Sequence, residues 1–475
     1  MAPSRTRRPF RVALLTAATL AGMGSAAANP PPAGGEWAAF QAYKQQTQSE
    51  FEQYRRAYLD AFDAYRDEVL GQWDEAPLGD AHTLVQYSED QHRRTEVDYQ
   101  SGTVTISVLH DPGQAPDPKA IQDALVALAQ SDTAEARAQD PIHAKLAAPP
   151  TQLPVLNAPQ PLVPELAPVV VDSGQAAEAR VEALIAQAEV TTRPRDYSAE
   201  RLAKLQAELA RQQQAALREL ERQQELAALA EASEPEQAQP APVPEAQAQA
   251  LQSQEREREA KLAARYAERQ ADPTAKQITT YRIQLPSHGQ QQRARPFLDQ
   301  AHAQAQQWQV EPELVLAIMQ AESSFNPLAR SHIPAFGLMQ IVPASAGRDV
   351  RQTFYQSRQA PTAEELYRPE FNIRFGSAYL NILDKRYLKG VTDPQSRLYC
   401  VIAAYNTGAG NVAKAFNSDG SRRLSSALPR INALSPEAVY QHLVEHLPYD
   451  ETRKYLTKVR NYREGYAALA TGQKL

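Results

Sequence analysis

The stretch E-P-E-L-V-L-A-I-M-Q-A-E-S-S-F-N-P, Glu311 to Pro327, decides how this chain is to be read. Its first half carries a helix signal. Pro312 sits at the first helical position, where a missing N–H removes no bond, and Leu314, Val315 and Ile318 form an apolar stripe. Glu322 falls on the same inward face, at the negative end of the helix dipole. Desolvation and the dipole both disfavour its ionised form, so its pKa is expected to rise. A carboxylic acid that keeps its proton near neutral pH is what general-acid cleavage of a glycosidic bond requires. G-L-M-Q (Gly337 to Gln340) follows closely, and A-A-Y-N-T-G (Ala403 to Gly408) comes further on.

Working upstream, residues 277–285 (QITTYRIQL) read as a single strand, with Tyr281, Ile283 and Leu285 alternating. A small N-terminal unit, 36–111, should supply the sheet that this strand joins. There Phe51, Tyr54, Tyr58, Phe62, Tyr65, Val69 and Trp73 recur every three or four residues. So regular an aromatic stripe reads as a helix packed on a core, with a sugar-stacking surface as the alternative. Strand signals follow at Thr83 to Glu89, Thr95 to Tyr99 and Thr103 to Leu109, with a turn at Gln100-Ser101-Gly102. Downstream of residue 285 the chain reads helical, with breaks at Gly337, Gly390, Gly408-Ala409-Gly410 and Asp419-Gly420.

Between these units, 112–275 changes character. Pro-rich stretches (Pro149 to Pro168, Pro235 to Pro244) bracket Ala/Gln/Glu-rich helical runs. Leucines at 202, 205, 209, 217 and 220 do not sustain heptads. A semi-rigid helical spacer is expected, with a coiled coil docking a protein partner as the alternative. The fold class is therefore α+β: a mainly helical domain at 276–475 and a helix-and-sheet domain, joined by a partly helical insertion.

With 35 Pro and 19 Gly in 475 residues, the length suits two or three domains and the composition excludes one continuous core. Residues 1–28 read as an export signal: Arg5, Arg7, Arg8 and Arg11, an apolar run from Val12 to Gly24, then Ser25-Ala26-Ala27-Ala28 before Asn29. The run is short and Ala-rich for a membrane span. Arg7-Arg8-Pro9-Phe10 also fits a twin-arginine signal, so the Sec and twin-arginine routes both stay open. A periplasmic location follows as an expectation. Cys400, the single cysteine, lies in an apolar stretch and reads as a small core residue; no cysteine stands at the cleavage site to carry a lipid anchor. From Lys276 onward there are 24 Lys+Arg against 16 Asp+Glu, whereas the first 275 residues carry 26 against 40. A basic module suits an anionic polymer, and export favours cell-wall glycan over nucleic acid.

The motifs around Glu322, Gly337 to Gln340 and Ala403 to Gly408, in that order and spacing, resemble the lysozyme-like catalytic domain of soluble-type lytic transglycosylases. A membrane-bound branch of that family also shares A-G-R-D-V (Ala346 to Val350) and the pattern seen from Val85 to Val104. The resemblance covers 36–109 and 277 to about 465. It implies non-hydrolytic cleavage of peptidoglycan between N-acetylmuramic acid and N-acetylglucosamine, with no metal and no cofactor. By that analogy Glu322 protonates the departing oxygen, then takes a proton from the muramic acid C6 hydroxyl as this closes on C1, leaving a 1,6-anhydro end. One essential carboxyl suffices, where most glycosidases need two. The resemblance also implies that Ser331 and Gln340 contact substrate, that Tyr405 hydrogen-bonds near the glutamate, that Asn406 shapes the groove, and that Glu451, Thr452 and Tyr455 line it. Each has a plainer reading: turns for Gly337 and Gly408, a helix cap for Asn406, a surface acid for Glu451. A hydrolase of the same fold and a non-catalytic wall-binding scaffold are the competing functions.

Overall fold

In a computed structural model of the chain, the described residues are 53–146, 159–170, 175–232, 234–271, 275–285, 289–357 and 359–470. The signal at 1–28, Phe51 at the head of the aromatic stripe, and the first half of the first Pro-rich stretch (149–158) lie outside them.

The stripe is a core. Helix α1 (53–70) buries Tyr58, Phe62, Tyr65 and Val69, with Trp73 just beyond its end. Tyr58 meets Phe336 edge to face at 5.8 Å, and its hydroxyl donates to the Ser331 carbonyl at 3.3 Å. These contacts fix the N-terminal unit against the loop that follows Glu322, which leaves those faces no room for a sugar.

Strands β1 (Thr83–Tyr87), β2 (Arg93–Asp98), β3 (Thr103–His110), β4 (Glu189–Pro194) and β5 (Gln277–Gln284) form one antiparallel sheet in the order β1-β2-β3-β5-β4. As the alternation in 277–285 anticipates, β5 joins the N-terminal sheet, with Val104 opposite Ile283 and Ile106 opposite Tyr281. Val104, Ile106 and Ile283 pack on Ile121, Leu125 and Leu128 of helix α2 (Pro118–Gln130). Asp117 caps that helix by accepting the Lys119 N–H at 2.9 Å.

The insertion is not a free spacer. Its strand β4 pairs with β5, and the Arg193 guanidinium and the Asp196 N–H (2.8 Å) both bind the fully buried Asp74 carboxylate. Helix α3 (Ala199–Glu231), capped by Ser198, packs beside helix α4 (Glu245–Gln270), and Leu209, Leu226 and Leu229 enter the main core. Arg258 on α4 grips Asp63 of α1 with both ends of its guanidinium, at 2.5 and 2.7 Å, and also donates to Gln212 of α3 at 3.1 Å. A leucine stripe too irregular for a coiled coil is enough to bury one face when the neighbour is a folded domain.

The C-terminal half is helical. Helix α5 (Pro312–Ser323), with Pro312 at its start, packs along α9 (Asp450–Ala470). Helices α6 (Pro369–Ile382), α7 (Pro394–Thr407) and α8 (Ala409–Phe416) complete the shell, with Phe375, Leu380, Ile402 and Val412 buried.

Candidate active site

Two successive residues in the left-handed region, Ser324 (φ 51) and Phe325 (φ 65), end α5 one residue beyond Glu322, after Ser323. Neither is glycine, so the turn is held by its surroundings. Phe325 is buried, and the Ser323 hydroxyl donates to the carbonyls of Met319 (3.0 Å) and Leu338 (2.8 Å). That second bond ties the G-L-M-Q loop to the end of the acid's own helix. Gly337 sits at φ 74, where a Cβ would come within 2.5 Å of the Asn372 amide nitrogen and the Leu366 carbonyl. Asn372, buried on α6, donates to the carbonyls of Phe336 (2.7 Å) and Leu366 (2.8 Å) and accepts the Met339 N–H at 2.8 Å. The loop is therefore rigid, which fixes Gln340 at the cleft wall.

A cleft of about 950 Å³ opens over this frame, lined by Glu322, Ser331, Gln340, Tyr405, Asn406, Glu451 and Tyr455. Thr452 lines it too, so the structure brings all eight residues singled out in the sequence to one cavity. Glu322 is half-buried, and its Oε1 accepts a 2.7 Å hydrogen bond from the Tyr455 hydroxyl. Tyr405 lines the same cleft as the acid, and its hydroxyl donates to the Met339 carbonyl at 2.9 Å, which braces the G-L-M-Q loop. The Asn406 side chain accepts from the Thr452 hydroxyl at 2.8 Å, joining α7 to α9 across the cleft. Ser331 donates to the Ile333 carbonyl, Gln340 donates to the Gly337 carbonyl at 3.0 Å, and Glu451 pairs with Arg218 at 3.2 Å.

Arg218 and its neighbours Glu219 and Arg222 come from α3, the insertion helix, and line the same cleft. Arg222 donates to the carbonyls of Tyr405 (2.8 Å) and Asn406 (3.2 Å) and to the Tyr379 hydroxyl (3.1 Å). It thus sets a cation on the C-terminal carbonyls of α7, the end a positive charge favours. Three residues on, Glu225 places its carboxylate on the start of α8. One clue was available in advance: Arg222 shares a helical face with Leu226 and Leu229, an odd place for a charge unless it has a buried partner.

Burial raises the Glu322 pKa to about 7, and the nearby Glu451 charge acts in the same direction. The Tyr455 hydrogen bond, Lys458 and Arg222 oppose it. The Lys458 ammonium is in turn pushed down by burial and held up by Glu322. A carboxyl balanced in this way can both give and take a proton near neutral pH. Tyr455 and Tyr405 are pushed well up, by burial first and the Glu322 charge second, so both remain neutral hydroxyl donors.

Geometry and sequence point to the same class. Residues 299–426, which include Glu322 through Asn406, match the family model of the transglycosylase SLT domain, and this chain carries such a domain. It is homologous to proteins named membrane-bound lytic murein transglycosylase C. That of Sodalis glossinidius is 45% identical over 191 residues, 40% of this chain and 52% of the relative. That of Pectobacterium atrosepticum is 44% identical over 189 residues, with the same shares. The chain thus spans about half the length of the curated relatives it matches. Among solved structures, an inactive mutant of the lytic transglycosylase Slt from Pseudomonas aeruginosa aligns at 25% identity over 37% of this chain and 24% of that one, with a TM-score of 0.28. Among the described residues, no helix is long and apolar enough to cross a membrane.

Proposed function

We propose that this protein is a peptidoglycan lytic transglycosylase of the periplasm, exported by the signal at 1–28, which cuts the bond between N-acetylmuramic acid and N-acetylglucosamine. Glu322 gives its proton to the departing oxygen as the C1–O bond breaks. The resulting carboxylate accepts the proton of the muramic acid C6 hydroxyl while O6 bonds to C1, so a 1,6-anhydro ring forms and no water is consumed. The observation that carries this reading is the state of Glu322: half-buried at a cleft wall, poised at about 7, and held on one oxygen by Tyr455. Tyr455 keeps the second oxygen free to face a sugar. Glu451, an acid lining the same cleft, is occupied by Arg218, which supports chemistry run by one carboxyl. The insertion, turned inward through Arg218 and Arg222, supports a role in shaping the site more than in reaching for a protein partner.

Digestion of purified sacculi followed by mass analysis of the products tests the reading. Anhydro ends, one water lighter than reducing ends, are expected, and Glu322→Gln should lower turnover by about 10²-fold or more. Reducing ends would make the enzyme a hydrolase. Sacculi bound but left intact by the wild-type chain would make it a scaffold.

A further inference from the structure

The charges lining the cleft do not balance once their partners are counted. Glu96 is paired with Arg94, Glu208 with Arg66, and Glu451 with Arg218. Asp80 accepts the backbone N–H groups of His82 and Thr83, and Glu219 accepts the Gln223 amide. On the basic side, Arg218 is taken up by Glu451, and Arg222 by main-chain carbonyls. Arg211 and Lys454 are different. Both line the cleft, both are exposed, and among the described residues neither is held by a hydrogen bond or an ion pair.

Their placement follows from the helices that carry them. The Arg218–Glu451 pair, at 3.2 Å, pins α3 to the start of α9. Arg211 lies two turns before that pin on α3, about 10 Å along the axis, and Lys454 lies about one turn beyond it on α9. Lys458, a further turn along, faces Glu322. Arg211 on α3 and Lys454 and Lys458 on α9 therefore add three cations to the lining of the cleft that holds Glu322.

We infer that Arg211 and Lys454 form a recognition site for the carboxylates of the peptide substituents on the glycan, so that the enzyme selects strands bearing charged peptides. This rests on the function proposed above and names which form of that substrate the cleft takes. Arg211 belongs to the insertion, so the specificity would be a property of that segment.

The test uses soluble peptide-bearing glycan strands and the same strands after their free carboxylates have been amidated with a neutral amine. Wild-type kcat/KM should be about three- to tenfold higher on the charged strands, and the ratio should fall with added salt. In the double variant Arg211→Gln/Lys454→Gln the ratio should approach one, while Arg211→Lys retains it. Because both strands are measured with each variant, a general loss of stability cancels. Equal turnover of both strands by the wild type, or a ratio that the double variant leaves unmoved, overturns this inference alone. Absence of anhydro ends from either strand overturns the functional reading beneath it.

Discussion

The Glu225 carboxylate of the insertion helix accepts the backbone N–H of Gly410 at 2.7 Å, closing the first turn of α8 with a side chain from 185 residues upstream. A carboxylate at a helix N-terminus satisfies donors that have no partner within the helix and meets the positive end of the dipole. Its approach explains both glycines of the Gly408-Ala409-Gly410 break. A Cβ at either would fall within 2.8 Å of a Glu225 oxygen, and Gly408 also sits at φ 91. Glu225→Ala should therefore cost about 1–3 kcal/mol, through a buried N–H left without a partner. Chemical denaturation would show a lower midpoint. An unchanged midpoint would mean that α3 is an ornament on the domain.

Tyr455 gives a kinetic signature. Its hydroxyl stabilises the ionised form of Glu322, so Tyr455→Phe should raise the acid's pKa above its value of about 7. In the proposed mechanism Glu322 must be protonated to start the reaction, so activity should fall as pH rises through that pKa. The falling limb of kcat/KM against pH should move upward, by roughly half to one unit. A limb that stays in place would place the titrating group elsewhere.

Much of this frame is legible in the residues, for physical reasons that differ by element. The aromatic stripe of α1 and the alternation in β3 and β5 mark surfaces buried on a core, and burial writes periodicity into sequence. Strand β4 carries no such mark: E-V-T-T-R-P is exposed along nearly its whole length, and it is a strand because β5 offers an edge. Ladder hydrogen bonds leave no side-chain signal. Arg222 and Glu225 are hidden for another reason. In a helix full of Gln, Glu and Arg, composition cannot separate two charges with long-range partners from those that face water. The same limit applies to Tyr405, whose motif implies closeness to the acid but not which acceptor takes its proton.

Glu322 should weaken the fold that holds it. Its folded pKa of about 7 lies above the ordinary 4.5, so the folded state holds this proton more tightly than the unfolded chain. The carboxyl is neutral in both states at low pH. As pH rises from about 4.5 to about 7 the unfolded chain ionises first, and stability falls across that window. Glu322→Gln removes the penalty. The variant should gain about 1–3 kcal/mol over wild type at pH 8 and little at pH 4. Melting temperatures at the two pH values measure the difference. A gain that is the same at both would exclude the ionisation as its source.

Asn372 is the hinge between stability and chemistry. It makes one buried hydrogen bond to each of three main-chain groups: the Phe336 carbonyl and Met339 N–H, which belong to the loop bearing Gln340, and the Leu366 carbonyl beside it. Asn372→Leu keeps roughly the volume but leaves the Leu366 carbonyl and the Met339 N–H unpaired in a buried site, each at about 1–3 kcal/mol before relaxation, while the Phe336 carbonyl keeps the Ile341 N–H at 3.1 Å. Asn372→Asp is the informative partner. Ionised, it still accepts from Met339 but can no longer donate to the two carbonyls, which it would then face with negative charge. Both variants should melt earlier, and among the molecules still folded kcat should drop more than KM rises. The loop carries the Met339 carbonyl that holds Tyr405, while Arg211 and Lys454 at the rim are untouched. A rise in KM with kcat preserved would instead show that the loop only grips the polymer and does not order the catalytic wall.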